Sequence, residues 1–448
     1  MRLLFIPTYS KLYNLIEVCR KHITRSLFFC VIIYSFSLQV SAQNESEAFL
    51  TGEIDAYQIQ LRPLIHKGKP FFPIGACGRP RLQNNEFVPF DILRQQGWNT
   101  VLRHSQGDKT KDKKYLAEAE ANDFAVVFSV GNYVRDQNHN DVYQYVNNIK
   151  ESPALLGYYI FDEPENVYGQ SKEFKILKAT KLLLGHKNFD ILESFITEKI
   201  SWVRPAIRQI DSNPHHYIFM TMAWPNMYQK LQPLCDINLP NEYVTNNTKH
   251  EFQGNPAGIV YDARVAAEAA FESGGQGFCY TPGALNLLWK NSKFRSPTVN
   301  EFRYSVFAPI TQGAMGIIFW AGYRCKTPYT EQAVFPVTRQ LSFLAPFFIG
   351  KWMNEKLTCE PSGFINENLK KLKVPAVSGC LRKSDDGKLL LLAVNNTAKN
   401  ISASFHLDIT TLPENTKDYI SGEKREINNK VIQKTLSPYG VAAFIIDQ

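Results

Sequence analysis

Eight short apolar runs recur along this chain, with segments of helical periodicity between them. The runs lie at 71–76, 99–103, 125–130, 155–161, 217–222, 236–239, 277–280 and 316–320. Helical patterns occupy 90–96, 115–122, 142–150, 174–184, 200–210, 260–271 and 298–312. Strands alternating with helices predict a parallel sheet covered on both faces. Eight such repeats over about 250 residues predict a (β/α)8 barrel. An open doubly wound sheet is the competing arrangement. It requires a glycine-rich phosphate loop after its first strand, and Ile74-Gly75-Ala76-Cys77-Gly78-Arg79-Pro80 lacks that spacing.

Beyond residue 354 the pattern changes. Leu389 to Val394 is continuously apolar, Asn395-Asn396 marks a turn, and 401–407 alternates with period two. This predicts a small antiparallel β-sandwich over 354–448, after a barrel over 67–350. Residues 1–42 read as a signal peptide. Basic residues end at Arg25, an apolar stretch runs over 27–40, and Val40-Ser41-Ala42 offers small residues for cleavage before Gln43. A polar extension, 43–66, follows. The expected location is therefore secreted or periplasmic, with no stable membrane insertion once the signal is removed.

Composition excludes some function classes. The formal charge of +8 on 448 residues suggests a polyanionic partner. Half of it, however, comes from five basic residues against Glu17 within 1–42, and no nucleic-acid partner is expected. The run Lys109, Lys111, Lys113 and Lys114, interleaved with Asp108 and Asp112, reads as a solvated loop. The six cysteines after the signal form no CxxC pair. Cys359 and Cys380 are the best couple for a disulfide, while buried free thiols are the commoner state. Without clustered histidines or cysteines, neither a metal nor a cofactor is expected.

The run from Leu155 ends abruptly on Asp162-Glu163-Pro164-Glu165. Three carboxylates beside a strand-ending proline suit acid–base chemistry at a barrel mouth. A cap on the following helix, from Ser171 onward, is the structural alternative. The carboxyl ends of the other strands carry Arg79, Arg103, His104, Asn132, Trp224, Glu242, Tyr243, Tyr280 and Trp320. Carboxylates, hydrogen-bonding groups and large aromatic faces together suit a carbohydrate, whose C–H faces stack on rings while its hydroxyls take polar partners. Asp236 starts its strand and reads as structural.

Four stretches resemble the TIM-barrel glycoside hydrolases of clan A, which include β-galactosidases and cellulases. Gly68 to Gly75 resembles their opening strand, and Gly97-Trp98-Asn99-Thr100-Val101 their second. Leu156 to Pro164 resembles the fourth, whose final Glu is the general acid/base. Ser296 to Arg303 with Gly313 to Trp320 resembles the last helix and strand. The likeness spans Lys67 to Tyr323. It implies that Glu163 is the acid/base, that Trp320 floors the sugar site, and that Arg103 is the polar residue near strand two.

The chain departs from that pattern at strand seven. Clan A enzymes end it on a nucleophilic Glu, whereas Gly277-Phe278-Cys279-Tyr280-Thr281-Pro282-Gly283 holds no carboxylate. Glu242, near the end of strand six, is the best substitute. The leading expectation is a glycoside hydrolase acting on O-glycosidic bonds of an oligo- or polysaccharide. A second is a substrate-assisted N-acetylhexosaminidase using the adjacent Asp162 and Glu163. A third is a catalytically silent, secreted glycan-binding barrel.

Overall fold

The computed structural model describes residues 62–104, 108–241, 256–274, 277–283, 297–320, 322–325, 329–364 and 373–447. The expected signal peptide, most of the extension, Glu242 and Tyr243 lie outside the described residues.

The described chain opens with a hairpin of β1 (Leu64–His66) and β2 (Lys69–Phe71). Lys67 and Gly68 at its tip both have positive φ, which suits the twist of the flanking strands. The apolar stretch 71–76, read as one strand, is divided between this hairpin and the barrel. The barrel strands are β3 (Ile74–Cys77), β4 (Thr100–His104), β5 (Ala125–Ser129), β6 (Leu155–Asp162), β7 (Tyr217–Met222), β8 (Ile237–Pro240), β9 (Gly277–Phe278) and β10 (Ile317–Phe319). They pair in parallel in the order β10-β3-β4-β5-β6-β7-β8-β9. Parallel bridges Tyr280–Ile317 and Gly283–Trp320 join the two ends, so the sheet closes into a (β/α)8 barrel. The Ile318 N–H donates to the Tyr280 carbonyl at 3.0 Å and the Trp320 N–H to that of Pro282 at 3.1 Å.

Two glycines permit close approach of adjacent barrel strands. A Cβ on Gly157 would stand 2.0 Å from the Tyr217 carbonyl oxygen, and one on Gly75 would stand 1.8 Å from that of Thr100. Larger residues there would push adjacent strands apart.

The segment read as a solvated lysine loop is instead the start of a helix, Lys109–Ala121. Asp108 caps it, its side chain accepting the N–H groups of Thr110 and Lys111. Asp112 is fully buried and receives the Tyr145 phenol. Its lysine neighbours stay at the surface, so charge density alone misled the reading.

The C-terminal module comprises β11 (Lys351–Trp352), β12 (Leu357–Glu360), β13 (Val377–Lys383), β14 (Leu389–Asn395), β15 (Ile401–Leu407), β16 (Asn415–Asp418), β17 (Lys424–Asn428), β18 (Val431–Leu436) and β19 (Val441–Ile446). All pair antiparallel, in the order β11-β13-β14-β19-β16-β17-β18-β15-β12, forming a β-sandwich. Its core takes alternate residues: Leu389, Leu391 and Ala393 from β14, Phe405 and Leu407 from β15, Phe444 and Ile446 from β19. The intervening Leu390, Leu392 and Val394 are equally buried, because β14 also packs against the barrel helix Val299–Thr311. From that helix, the Tyr304 hydroxyl donates to Asn396 Oδ1 at 2.7 Å. A strand covered on both faces accounts for the unbroken apolar run.

Cys359 and Cys380 are both free thiols, as are Cys77, Cys235, Cys279 and Cys325. Among the described residues, no helix is long and apolar enough to cross a membrane. Among the same residues, no cluster of three or more His, Cys, Asp or Glu side chains could hold a metal ion.

Candidate functional site

The end of β6 is irregular in a way that shapes the site. Tyr159 pairs with Phe219 and Phe161 with Met220, so Ile160 is an extra residue, a β-bulge. In a regular strand, residues three apart face opposite sides. The bulge restores the parity, and the Tyr159 hydroxyl donates to Asp162 Oδ1 at 2.7 Å. That same hydroxyl lies 2.8 Å from Thr221 Oγ1 on β7. Tyr158, on the other face, instead reaches out to Asp211 at 2.5 Å.

Glu163 follows with φ 49° and ψ 62°, a left-handed conformation. For a residue with a long side chain this is uncommon and costs about 1–3 kcal/mol, a strain that concentrates at functional sites. It turns the chain from β6 into the helix Pro164–Gly169. The Glu163 N–H donates to the Thr221 carbonyl at 3.0 Å. Its side chain does not cap the helix. Asn241 Nδ2 donates to Oε1 at 2.6 Å and Asn166 Nδ2 to Oε2 at 2.7 Å. The capping role expected further on belongs to Ser171, whose hydroxyl accepts the Phe174 N–H.

Burial raises the proton affinity of Glu163, and the neighbouring Asp162 adds to it, while the amides of Asn166 and Asn241 oppose the rise. Asp162 is likewise raised by burial and held back by the Tyr159 hydrogen bond. Glu165 is fully buried and pushed up to about 7 by burial. Its Oε1 accepts the backbone N–H groups of Ala223 and Trp224. This carboxyl ties the helix after β6 to the loop after β7.

The other predicted residues divide into two groups. His104 joins the inner wall: its Nε2 lies 3.1 Å from Cys77 Sγ, and its ring stands edge-on to Tyr159. Partial desolvation of the ring, and then Arg103, lower its proton affinity from the ordinary histidine value. Trp224 and Trp320 are half-buried at the ends of β7 and β10. Arg79 and Arg103 turn away from this wall. Arg103 stacks over Tyr115 at 4.5 Å, and Arg79 over Phe90 at 4.4 Å with Glu118 beside it. Tyr280 is fully buried and donates to Asp262 on the helix Gly258–Glu272. Asn132 is exposed on the short helix Gly131–Arg135. Asp236 anchors Arg204, Arg208 and the Ile218 N–H. Tyr159, Thr221, Asn166 and Asn241 were not anticipated. Asn166 had a local signal, since it stands three residues from Glu163 at a helix start. Thr221 on β7 and Asn241 just after β8 had none.

Neither a protein-family model nor any curated protein sequence matches this chain. Solved structures do. A glycoside hydrolase superposes with a TM-score of 0.55 at 13% identity, over 86% of this chain and 95% of that one. A β-galactosidase from Rahnella sp. R3 gives 0.55 at 9% identity, over 86% and 100%. A glycoside hydrolase family 5 protein from Bacteroides vulgatus gives 0.53 at 13% identity, over 86% and 91%. The likeness is one of fold: this chain has the TIM-barrel architecture of those glycoside hydrolases.

Proposed function

We propose that this protein is a glycoside hydrolase that cleaves O-glycosidic bonds of an oligo- or polysaccharide, with Glu163 as general acid/base. The observation that carries this reading is the environment of Glu163. A carboxyl group sits at the end of the fourth barrel strand on a strained backbone, with burial raising its proton affinity and two amides reaching its oxygens. Burial and the Asp162 charge retain the proton until a leaving oxygen takes it. The amides of Asn166 and Asn241 then stabilise the carboxylate left behind. Trp224 and Trp320, half-buried at the ends of β7 and β10, are the proposed platforms on which sugar rings stack.

Glu242, next in the chain after Asn241, is the proposed second carboxylate. Carboxyl groups about 5–5.5 Å apart would imply retention of configuration and about 6.5–9.5 Å inversion. Export through residues 1–42 belongs to the same proposal and rests on their sequence pattern.

A substrate-assisted reaction on N-acetylhexosaminides is the second reading. The described end of the seventh strand, Cys279 to Gly283, carries no carboxylate, and Asp162 is held firmly beside Glu163 by Tyr159. That reaction needs no second protein nucleophile. Incubating the purified protein with polysaccharides and 4-nitrophenyl glycosides separates the readings. Turnover confined to acetamido sugars selects the second. The glycosidase proposal expects Glu163→Gln to lower turnover at least ~10²-fold with glycan binding retained. Glycan binding without any hydrolysis would overturn it in favour of a silent binding barrel.

A further inference from the structure

We propose that Tyr159 is a positioning residue for the acid pair: its phenol pins the Asp162 carboxylate to the inner wall of the barrel, so that a negative charge stands beside Glu163. The inference rests on the glycosidase reading of Glu163 and extends it to a residue that never touches substrate.

The geometry is specific. Tyr159 is buried, and its single hydroxyl lies between Asp162 Oδ1 at 2.7 Å and Thr221 Oγ1 at 2.8 Å. A phenol has one proton to give. Directed to the carboxylate, it leaves the phenol oxygen to accept from the Thr221 hydroxyl, and the chain of donors runs from β7 into Asp162. The contact exists only because Ile160 bulges and brings residues 159 and 162 to one face.

Other groups near the pair do not take over this role. On the same segment, Glu163 and Glu165 are acidic. From β4, His104 stands edge-on to Tyr159, with its Nε2 against Cys77 from β3 and its proton affinity lowered. Arg103 faces away, over Tyr115. Among the described residues no lysine or arginine pairs with Asp162. Tyr159 is what favours the charged form of Asp162 against burial.

Losing the phenol has a signed consequence. Asp162 would hold its proton to higher pH. In that range it would no longer repel the charge on Glu163, whose proton would leave at lower pH.

The test uses the full chain labelled with aspartate carrying 13C at the carboxyl carbon, with Asp162→Asn assigning the signal. In Tyr159→Phe the Asp162 titration midpoint should move up, and in Thr221→Val it should move up less. A midpoint unmoved in both folded variants overturns the proposal. On the 4-nitrophenyl glycoside cleaved best, Tyr159→Phe should lose about tenfold in kcat with little change in KM, and its basic limb should shift to lower pH. A uniform loss at every pH, with the limb in place, would mean a structural tyrosine and also overturns it. The NMR titration needs no substrate. Failure to hydrolyse any glycoside therefore sinks the glycosidase reading without deciding this one.

Discussion

Glu165 receives the backbone N–H of Trp224 at 3.0 Å from inside a fully buried pocket, tying the helix that begins after Glu163 to the loop that carries an indole. Its Oε1 also takes the Ala223 N–H, while Oε2 has no partner among the described residues. A carboxyl with one open oxygen and no cation beside it is better accommodated neutral than charged.

Stability should therefore depend on pH through this group. Its folded pKa of about 7 lies above an ordinary value of 4.5. Between those values the native state binds more protons than the unfolded chain, so stability falls as pH rises through the window and is level above it. Glu165→Gln should remove this dependence and gain up to about 3 kcal/mol at pH 8 relative to the wild type. Urea denaturation of both proteins at pH 4.5, 6 and 8 measures it, and parallel stability curves would refute the assignment.

Asn241→Leu removes the amide that donates to Glu163 Oε1 at 2.6 Å. That hydrogen bond opposes the raised proton affinity, so its loss should move the basic limb of the pH–rate profile upward. Turnover should fall about tenfold or more, because the carboxylate produced by proton transfer loses a stabilising donor. A limb that moves downward contradicts the proposed role.

Trp320→Ala tests the sugar platform. The indole is half-buried at the end of β10, and the Trp320 N–H is tied to the Pro282 carbonyl by the backbone alone. Glycan affinity should weaken by about 1–3 kcal/mol with thermal stability nearly unchanged. Calorimetric titration paired with a melting curve decides the matter. A melt lowered by the ~3–5 kcal/mol of a core truncation, with affinity intact, would assign Trp320 to packing.

Asp236→Ala should damage folding rather than chemistry. Its carboxylate is nearly buried between Arg204 and Arg208 and also accepts the Ile218 N–H. Its removal leaves the Ile218 N–H without its side-chain acceptor and two partly exposed guanidiniums without their anion, a loss of about 1–3 kcal/mol. Chemical denaturation should show that loss, with turnover per folded molecule close to wild type.

The amino-acid sequence by itself determined the architecture. The barrel strands coincide with largely apolar, largely buried runs near their expected places, and β14 coincides with the unbroken apolar run of 389–394. Such patterns are local and repeat at a period that backbone geometry imposes. The position of the carboxylates Asp162, Glu163 and Glu165 was legible for the same reason, at the end of a buried strand. Which side chains meet at Glu163 was decided only by tertiary structure. The Asn241 amide arrives from just after β8 and the Thr221 carbonyl from β7, and both contacts depend on strand register. Arg79, Arg103 and Tyr280 stand at strand ends as expected, yet they point outward to Phe90, Tyr115 and Asp262. A shift of one residue reverses the face a side chain occupies. The bulge at Ile160 makes such a shift, and no local pattern of residues announces it.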